Sequence, residues 1–174
     1  MRRLATLAAL LLAGSTSWPL HAHPSQDDSD YVVTNWQTEQ GLPENSATAM
    51  VQMPDGFLWF GTFNGLVRFD GQSFTVLDTS NTPELPSAGI VNLHLDRSGA
   101  LWVSTLRGIA RKREGNWERF GPDRGLTANF VRYFAESGDG LFVTSFDNRA
   151  FRFAGERFVE LPGLKGVEPW GTFP

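Results

Sequence analysis

One unit is written three times in this chain. The first copy, Gly41 to Phe74, reads GLPENSATAMVQMPDGFLWFGTFNGLVRFDGQSF. The second, Glu84 to Trp117, reads ELPSAGIVNLHLDRSGALWVSTLRGIARKREGNW, and the third, Gly125 to Phe158, reads GLTANFVRYFAESGDGLFVTSFDNRAFRFAGERF. The anchors keep step. Leu42, Leu85 and Leu126 are 43 and 41 residues apart, as are Gly56, Gly99 and Gly140, while Trp59, Trp102 and Phe142 are 43 and 40 apart. A period of about 42 residues is too long for leucine-rich or ankyrin repeats and leaves a propeller blade or a helical pair.

Local chemistry separates those two. A helical pair needs runs of roughly ten or more residues with a 3.6-residue period, and glycine interrupts this unit too often. Instead there are four short runs rich in aromatic and β-branched residues. Val91, Leu93 and Leu95 alternate with Asn92 and His94, which predicts a first strand. Asp55-Gly56, Ser98-Gly99 and Gly138-Asp139-Gly140 predict the turn to a second strand at Leu58–Thr62, Leu101–Thr105 and Leu141–Ser145. Asn64-Gly65 is a strong hairpin signal, with Arg107-Gly108 and Asp147-Asn148 as counterparts, Asn148 being suited to a left-handed position. Third strands follow at Leu66–Phe69, Ile109–Lys112 and Ala150–Phe153. Asp70-Gly71, Glu114-Gly115 and Ala154-Gly155 then turn into fourth strands that begin at Phe74, Trp117 and Phe158. Four antiparallel strands per unit is a propeller blade. Trp59 and Trp102, at the same place in successive units, are expected to fill the gap between blades; an aromatic sugar platform is the functional alternative.

The first 22 residues read as a Sec-type signal peptide. Arg2 and Arg3 precede the apolar run Leu4 to Gly14, and Ala22 offers a small residue for cleavage. That run is too short for a spanning helix, which needs roughly 20 residues. Residues 23–30 form an acidic lead-in, in which Asp27, Asp28 and Asp30 lack the spacing of a calcium loop. The whole chain carries a net charge of −4; without the leader, 13 basic residues face 19 acids, a net of −6. That balance argues against a nucleic-acid partner. The absence of cysteine excludes a disulfide scaffold, a thiolate metal site and a cysteine nucleophile.

The units resemble two-component regulator propeller repeats. The resemblance rests on Gly41-Leu42-Pro43, Asp55-Gly56-Phe57-Leu58-Trp59-Phe60-Gly61-Thr62, Asn64-Gly65-Leu66 and Phe69-Asp70-Gly71. The second copy keeps Leu85-Pro86, Gly99, Leu101-Trp102 and Gly108 but has Ser104 in place of Gly61; the third has Phe142 for tryptophan and Asn148 for glycine. The resemblance covers about Trp36 to Leu164. It implies the periplasmic sensing part of a hybrid histidine kinase or diguanylate cyclase, with oligosaccharides as the ligands of better understood relatives. In such receptors an immunoglobulin-like domain, a membrane helix and an output domain follow. No apolar run after residue 22 is long enough to span a bilayer.

The expected architecture is all-β: a partial β-propeller of three four-stranded antiparallel blades, at about 41–80, 84–122 and 125–163, within a domain of residues 31–174. Tyr31 to Trp36 precedes Leu42 as Trp117 to Phe120 precedes Leu126, which makes it an orphan outer strand whose own blade is missing. Three blades cannot close a ring, since propellers use roughly 4 to 8. The rest of the ring is expected from a longer reading frame in cis, or alternatively from self-association.

No catalytic constellation is legible, and no cofactor, metal or catalytic residue is assigned; the ligand-binding residues stay unknown. His21 and His23 lie in the leader and lead-in, and His94 is expected as a packed strand residue. Glu44, Asp70 and Asp78 are expected to cap turns. Arg107, Arg111, Lys112 and Arg113 form a basic run expected as a solvated edge, with an anion or acidic-sugar contact as the sharper reading. The function expected is therefore a periplasmic, non-enzymatic ligand-sensing module of a two-component or cyclic-di-GMP receptor, lacking its membrane helix and output domain. A secreted propeller enzyme acting on polysaccharide, or a propeller scaffold, is the alternative.

Overall fold

Each repeat folds into one antiparallel sheet because its four runs are joined by turns too short for a crossover. The computed structural model describes residues 33–128 and 130–162. The first sheet holds β1 (Ala49–Gln52), β2 (Leu58–Thr62), β3 (Gly65–Phe69) and β4 (Phe74–Leu77). The second holds β5 (Ile90–Leu95), β6 (Leu101–Thr105), β7 (Gly108–Arg113) and β8 (Asn116–Phe120). The third holds β9 (Val131–Ser137), β10 (Gly140–Ser145), β11 (Ala150–Ala154) and β12 (Arg157–Leu161). Strands lie in chain order in every sheet. The sheets approach one another along their first strands, β5 against β1 and β2, and β9 against β5 and β6. The result is a partial β-propeller, with three blades side by side and the ring open.

The ladders align the repeats as the sequence does. One rung runs Val51–Trp59–Arg68–Thr75 in the first sheet. Its equivalent is His94–Trp102–Arg111–Glu118 in the second and Ala135–Phe142–Arg152–Val159 in the third. Because side chains alternate across a strand, each rung presents all its members to one face of its sheet, and in the first two sheets that face meets the next sheet. Trp59 therefore meets Leu93, Leu101, Val103 and Ala110 of the second sheet. Trp102 meets Val131, Leu141, Val143, Phe151 and Phe158 of the third. The two tryptophans are inter-blade packing residues, and the sugar-platform alternative is set aside for both.

One expectation needs correction. The hairpin between second and third strands turns on Phe63-Asn64, not Asn64-Gly65, since Thr62 pairs with Gly65. Likewise Thr105 pairs with Gly108, and the turn is Leu106-Arg107. The cause is a buried hydroxyl. Thr62 Oγ1 donates to Gly65 O at 2.8 Å and accepts from Asn64 N at 3.2 Å. Thr105 Oγ1 does the same with Gly108 O and Arg107 N, at 3.0 and 3.2 Å. Glycine is still required, but as the first strand residue. Gly108 has φ of 140°, and a Cβ there would sit 2.9 Å from Phe120 O. In the third sheet the hairpin is longer, and Asn148 takes the left-handed conformation expected of it, with φ of 58°.

Val33 to Trp36 have no ladder partner, as an outer strand without its own blade must; Tyr31 lies outside the described residues. So do the leader, the acidic lead-in and the tail from residue 163.

The two tryptophans differ in one bond. Trp102 Nε1 donates to Asp96 Oδ2 at 2.7 Å, whereas Trp59 Nε1 is buried without a partner. The residue 43 positions before Asp96 is Met53, which offers no comparable acceptor. A hydrogen bond to a charged group is worth about 1.5–3 kcal/mol. Trp102→Phe is therefore expected to cost about 2 kcal/mol more than Trp59→Phe in urea unfolding. Equal costs would contradict this reading of the two sites.

Candidate functional site

The basic run does not form a site. Strand alternation turns Arg111 inward, where its side chain is only 6% exposed. Its guanidinium lies 5.1 Å from the Trp102 ring and 5.3 Å from those of Phe120 and Phe153. Nη2 donates to both oxygens of Glu118, at 2.9 and 3.0 Å, and lies 3.7 Å from Glu156 of the third sheet. Arg124 adds a 3.2 Å bond to Glu118. The expected solvated edge is thus overturned for Arg111, which joins two blades. Arg107 and Arg113 are exposed, and Lys112 is half-buried.

His94 is a packed strand residue, as expected. It stacks on Phe134 of the third sheet, with centroids 5.6 Å apart and planes at 14°, and Nε2 is 3.7 Å from Glu136 Oε2. The three turn carboxylates cap as expected. Glu44 accepts from Phe63 N at 3.0 Å. Asp70 accepts from Gln72 N and Ser73 N at 2.8 and 2.7 Å, and Asp78 accepts from Ser80 N at 2.7 Å. Among the described residues no group of three or more His, Asp or Glu is placed to hold a metal ion. No helix among them is long and apolar enough to cross a membrane.

The feature that sequence reading missed is at one edge of the sheets. Antiparallel order brings the turn between second and third strands to the edge that also carries the connection entering the first strand. Backbone bonds tie the connection to the turn in the second and third sheets, Leu106 N to Gly89 O at 3.0 Å and Phe146 N to Phe130 O at 2.9 Å, and to the end of β2 in the first, Thr48 N to Gly61 O at 2.8 Å. Each turn then presents one large apolar side chain to solvent. Phe63 is 50% exposed, Leu106 41% and Phe146 63%. Phe146 is propped edge-on against Phe130 at 5.6 Å, and the Arg132 guanidinium lies 5.3 Å from its ring. A clamped loop bearing an exposed apolar residue, repeated in every blade, is the candidate binding edge. The signal was present as spacing, since 63, 106 and 146 are 43 and 40 apart.

Residues 41–64 match the two component regulator propeller family. No curated protein matches the chain. Among solved structures, the fold is similar to the extracellular domain of BT3049, assigned as a hybrid two component system of B. thetaiotaomicron. The TM-score is 0.67 at 17% identity, over 74% of this chain and 18% of that one. It is also similar to streptogramin B lyase, with a TM-score of 0.52 at 18% identity, over 72% of this chain and 44% of the lyase. An inactive histidine-to-alanine variant of virginiamycin B lyase from Staphylococcus aureus, crystallised with quinupristin, gives 0.51 at 19% identity, over 70% of this chain and 42% of that one. The chain thus spans less than half the length of each of these proteins.

Acid is expected to loosen the joint between the second and third blades. Hydrogen bonds from Arg111, then the charges of Arg111 and Arg124, hold the Glu118 carboxyl below its ordinary value of 4.5 despite some burial. Burial pushes Asp96 upward, but bonds from Ser98, Trp102 and backbone N–H groups outweigh it and leave it below 3.8. A carboxylate whose pKa is lowered by folding contributes stability above its unfolded pKa and loses it as pH falls through the folded one. Stability should therefore drop below about pH 4.5, and Glu118→Gln should flatten that drop. Arg111→Met should cost about 1.5–3 kcal/mol at neutral pH, because it removes a charged hydrogen bond and leaves the half-buried Glu118 carboxylate to Arg124 alone. An unchanged urea midpoint would contradict the joint. Residues 41–64 thus resemble a two component regulator propeller repeat, and the four-stranded pattern of the first sheet recurs in the second and third.

Proposed function

We propose that this chain is the non-catalytic, ligand-sensing propeller module of a two-component or cyclic-di-GMP signalling receptor, working outside the cytoplasm. The observation that carries the reading is the repeated edge of Phe63, Leu106 and Phe146, each on a clamped turn. Rigid apolar side chains on fixed loops suit a ligand with flat C–H faces, such as an oligosaccharide. The family match at residues 41–64 and the fold likeness to an extracellular sensor domain support the compartment and the class, as does the leader sequence. The membrane helix and output domain belong to the receptor of which this propeller is a part.

The lyase likeness raises an enzyme as the second reading. Among the described residues the only histidine is His94, and its ring is stacked on Phe134 between two sheets. That placement favours a binding module.

Differential scanning fluorimetry of the exported chain against a panel of oligosaccharides tests the proposal. A sugar held at about 100 times its Kd stabilises by about 2.7 kcal/mol, a rise of roughly 5–10 °C for a chain this size. The pair Phe63→Ser and Phe146→Ser should abolish the rise and leave the unliganded midpoint within about 1 kcal/mol, as exposed positions do. Binding that ignores both substitutions, or turnover of the sugar, would overturn it.

A further inference from the structure

Resting on the sugar-binding reading above, we infer that the sugar taken at the Phe146 turn is an acidic one, and that Arg132 on the third blade receives its carboxylate.

Arg132 stands outside the ladder. Thr144 pairs with Tyr133 and Ser145 with Val131, so Arg132 is the extra residue of a β-bulge. Regular alternation sends neighbouring side chains to opposite faces of a sheet, and a bulge re-aims one of them. Here the guanidinium comes to 5.3 Å from the ring of Tyr133, its own neighbour in the chain, and to 5.3 Å from that of Phe146. Both rings are open to solvent, at 55% and 63%. The second sheet has a bulge at the same place, where Val91 is passed over between Ile90 and Asn92. The third blade puts a cation there instead.

That cation has no anionic partner among the described residues. Arg111, Arg124 and Arg149 also lie against aromatic rings, but each is ion-paired with a glutamate. Arg132 has neither an ion pair nor a side-chain hydrogen bond. Asp147, beside Phe146, is already engaged: it accepts from the Ser145 hydroxyl and lies 3.8 Å from Arg149.

A ring contact occupies the face of a guanidinium and leaves its in-plane N–H donors free. That fork matches a carboxylate in plane and spacing, while the two rings suit the flat C–H faces of a sugar. A uronic acid unit offers both. The chain as a whole carries a net charge of −4, so long-range attraction gives an anion no help, and the preference has to come from Arg132 itself. The first blade adds an orientation. Its turn carries Glu44, which accepts from Phe63 N at 3.0 Å and repels a second carboxylate. The charged unit therefore sits over Phe146 and a neutral unit over Phe63.

Isothermal titration calorimetry of the full chain tests this. The probes are short oligomers of galacturonic, glucuronic and mannuronic acid, each beside its methyl ester, which keeps the rings and hydroxyls and removes the charge. One acid is expected to bind about tenfold to a hundredfold more tightly than its ester, the range that one charged hydrogen bond spans. Arg132→Gln should bring that acid down to the ester's affinity. Arg113→Gln, which removes the same charge at the far end of β7, should leave the difference intact. The comparison of acid with ester needs no variant, so it decides the matter even where Arg132→Gln fails to fold. Sugars bound with no preference for the acid would overturn this proposal and leave the sugar-binding reading standing; no sugar bound at all would overturn both. A preference that survives in folded Arg132→Gln, or polyglutamate bound as tightly as the uronates, would overturn the assignment of Arg132 to an acidic sugar.

Discussion

The structure depends on one contact, the pressing of a second-strand aromatic against the next sheet. Trp102 is the fullest case. Its ring is 4.9 Å from that of Phe153 and 5.3 Å from that of Phe120, its nitrogen is bonded to Asp96, and the Arg111 guanidinium packs on its neighbours as well as on it. Truncating so large a buried ring typically costs about 3–5 kcal/mol, a large share of the roughly 5–15 kcal/mol that holds a domain together. No single sheet could bury such residues alone. Each blade is stable because a neighbour covers its face, which makes the array nearly one-dimensional.

That dependence separates the parts of a blade by task. The rungs through Trp59 and Trp102 join blade to blade, so they cannot also meet a ligand. The turns at Phe63, Leu106 and Phe146 lie off those faces and are held by a buried hydroxyl, Thr62, Thr105 or Ser145. A scaffold that fixes its loops without using their tips leaves the tips for recognition. The joints carry charge as well as apolar area: Arg111 binds Glu118 in its own sheet and reaches Glu156 in the next.

Much of this was legible in the sequence, for a physical reason. A repeated unit must bury repeated residues, so spacing alone located the strands, the rungs and the inter-blade tryptophans. What stayed hidden depends on pairing across space. The turn offset came from Thr62 and Thr105, whose hydroxyls clamp a hairpin centred one residue before the Asn-Gly signal. Arg111 looked like part of a solvated charge run because a run hides alternation: on a strand, Arg111 points inward while its neighbour Lys112 points the other way. The exposed Phe63, Leu106 and Phe146 were overlooked because an apolar residue in a blade reads as core until its exposure is known. The outer strand at Trp36 was legible by spacing, yet without a third strand beside it Val33 to Trp36 form no ladder.

Amide hydrogen exchange, followed strand by strand, tests the central claim that each blade is stabilised by the neighbour on its face. The second sheet is covered on both sides, and every residue of β6 is buried, so β6 and β7 should exchange most slowly. Exchange should quicken toward β4 and β12, whose solvent-facing residues are open. Slowest exchange in an end sheet, or one rate across all three, would contradict the account.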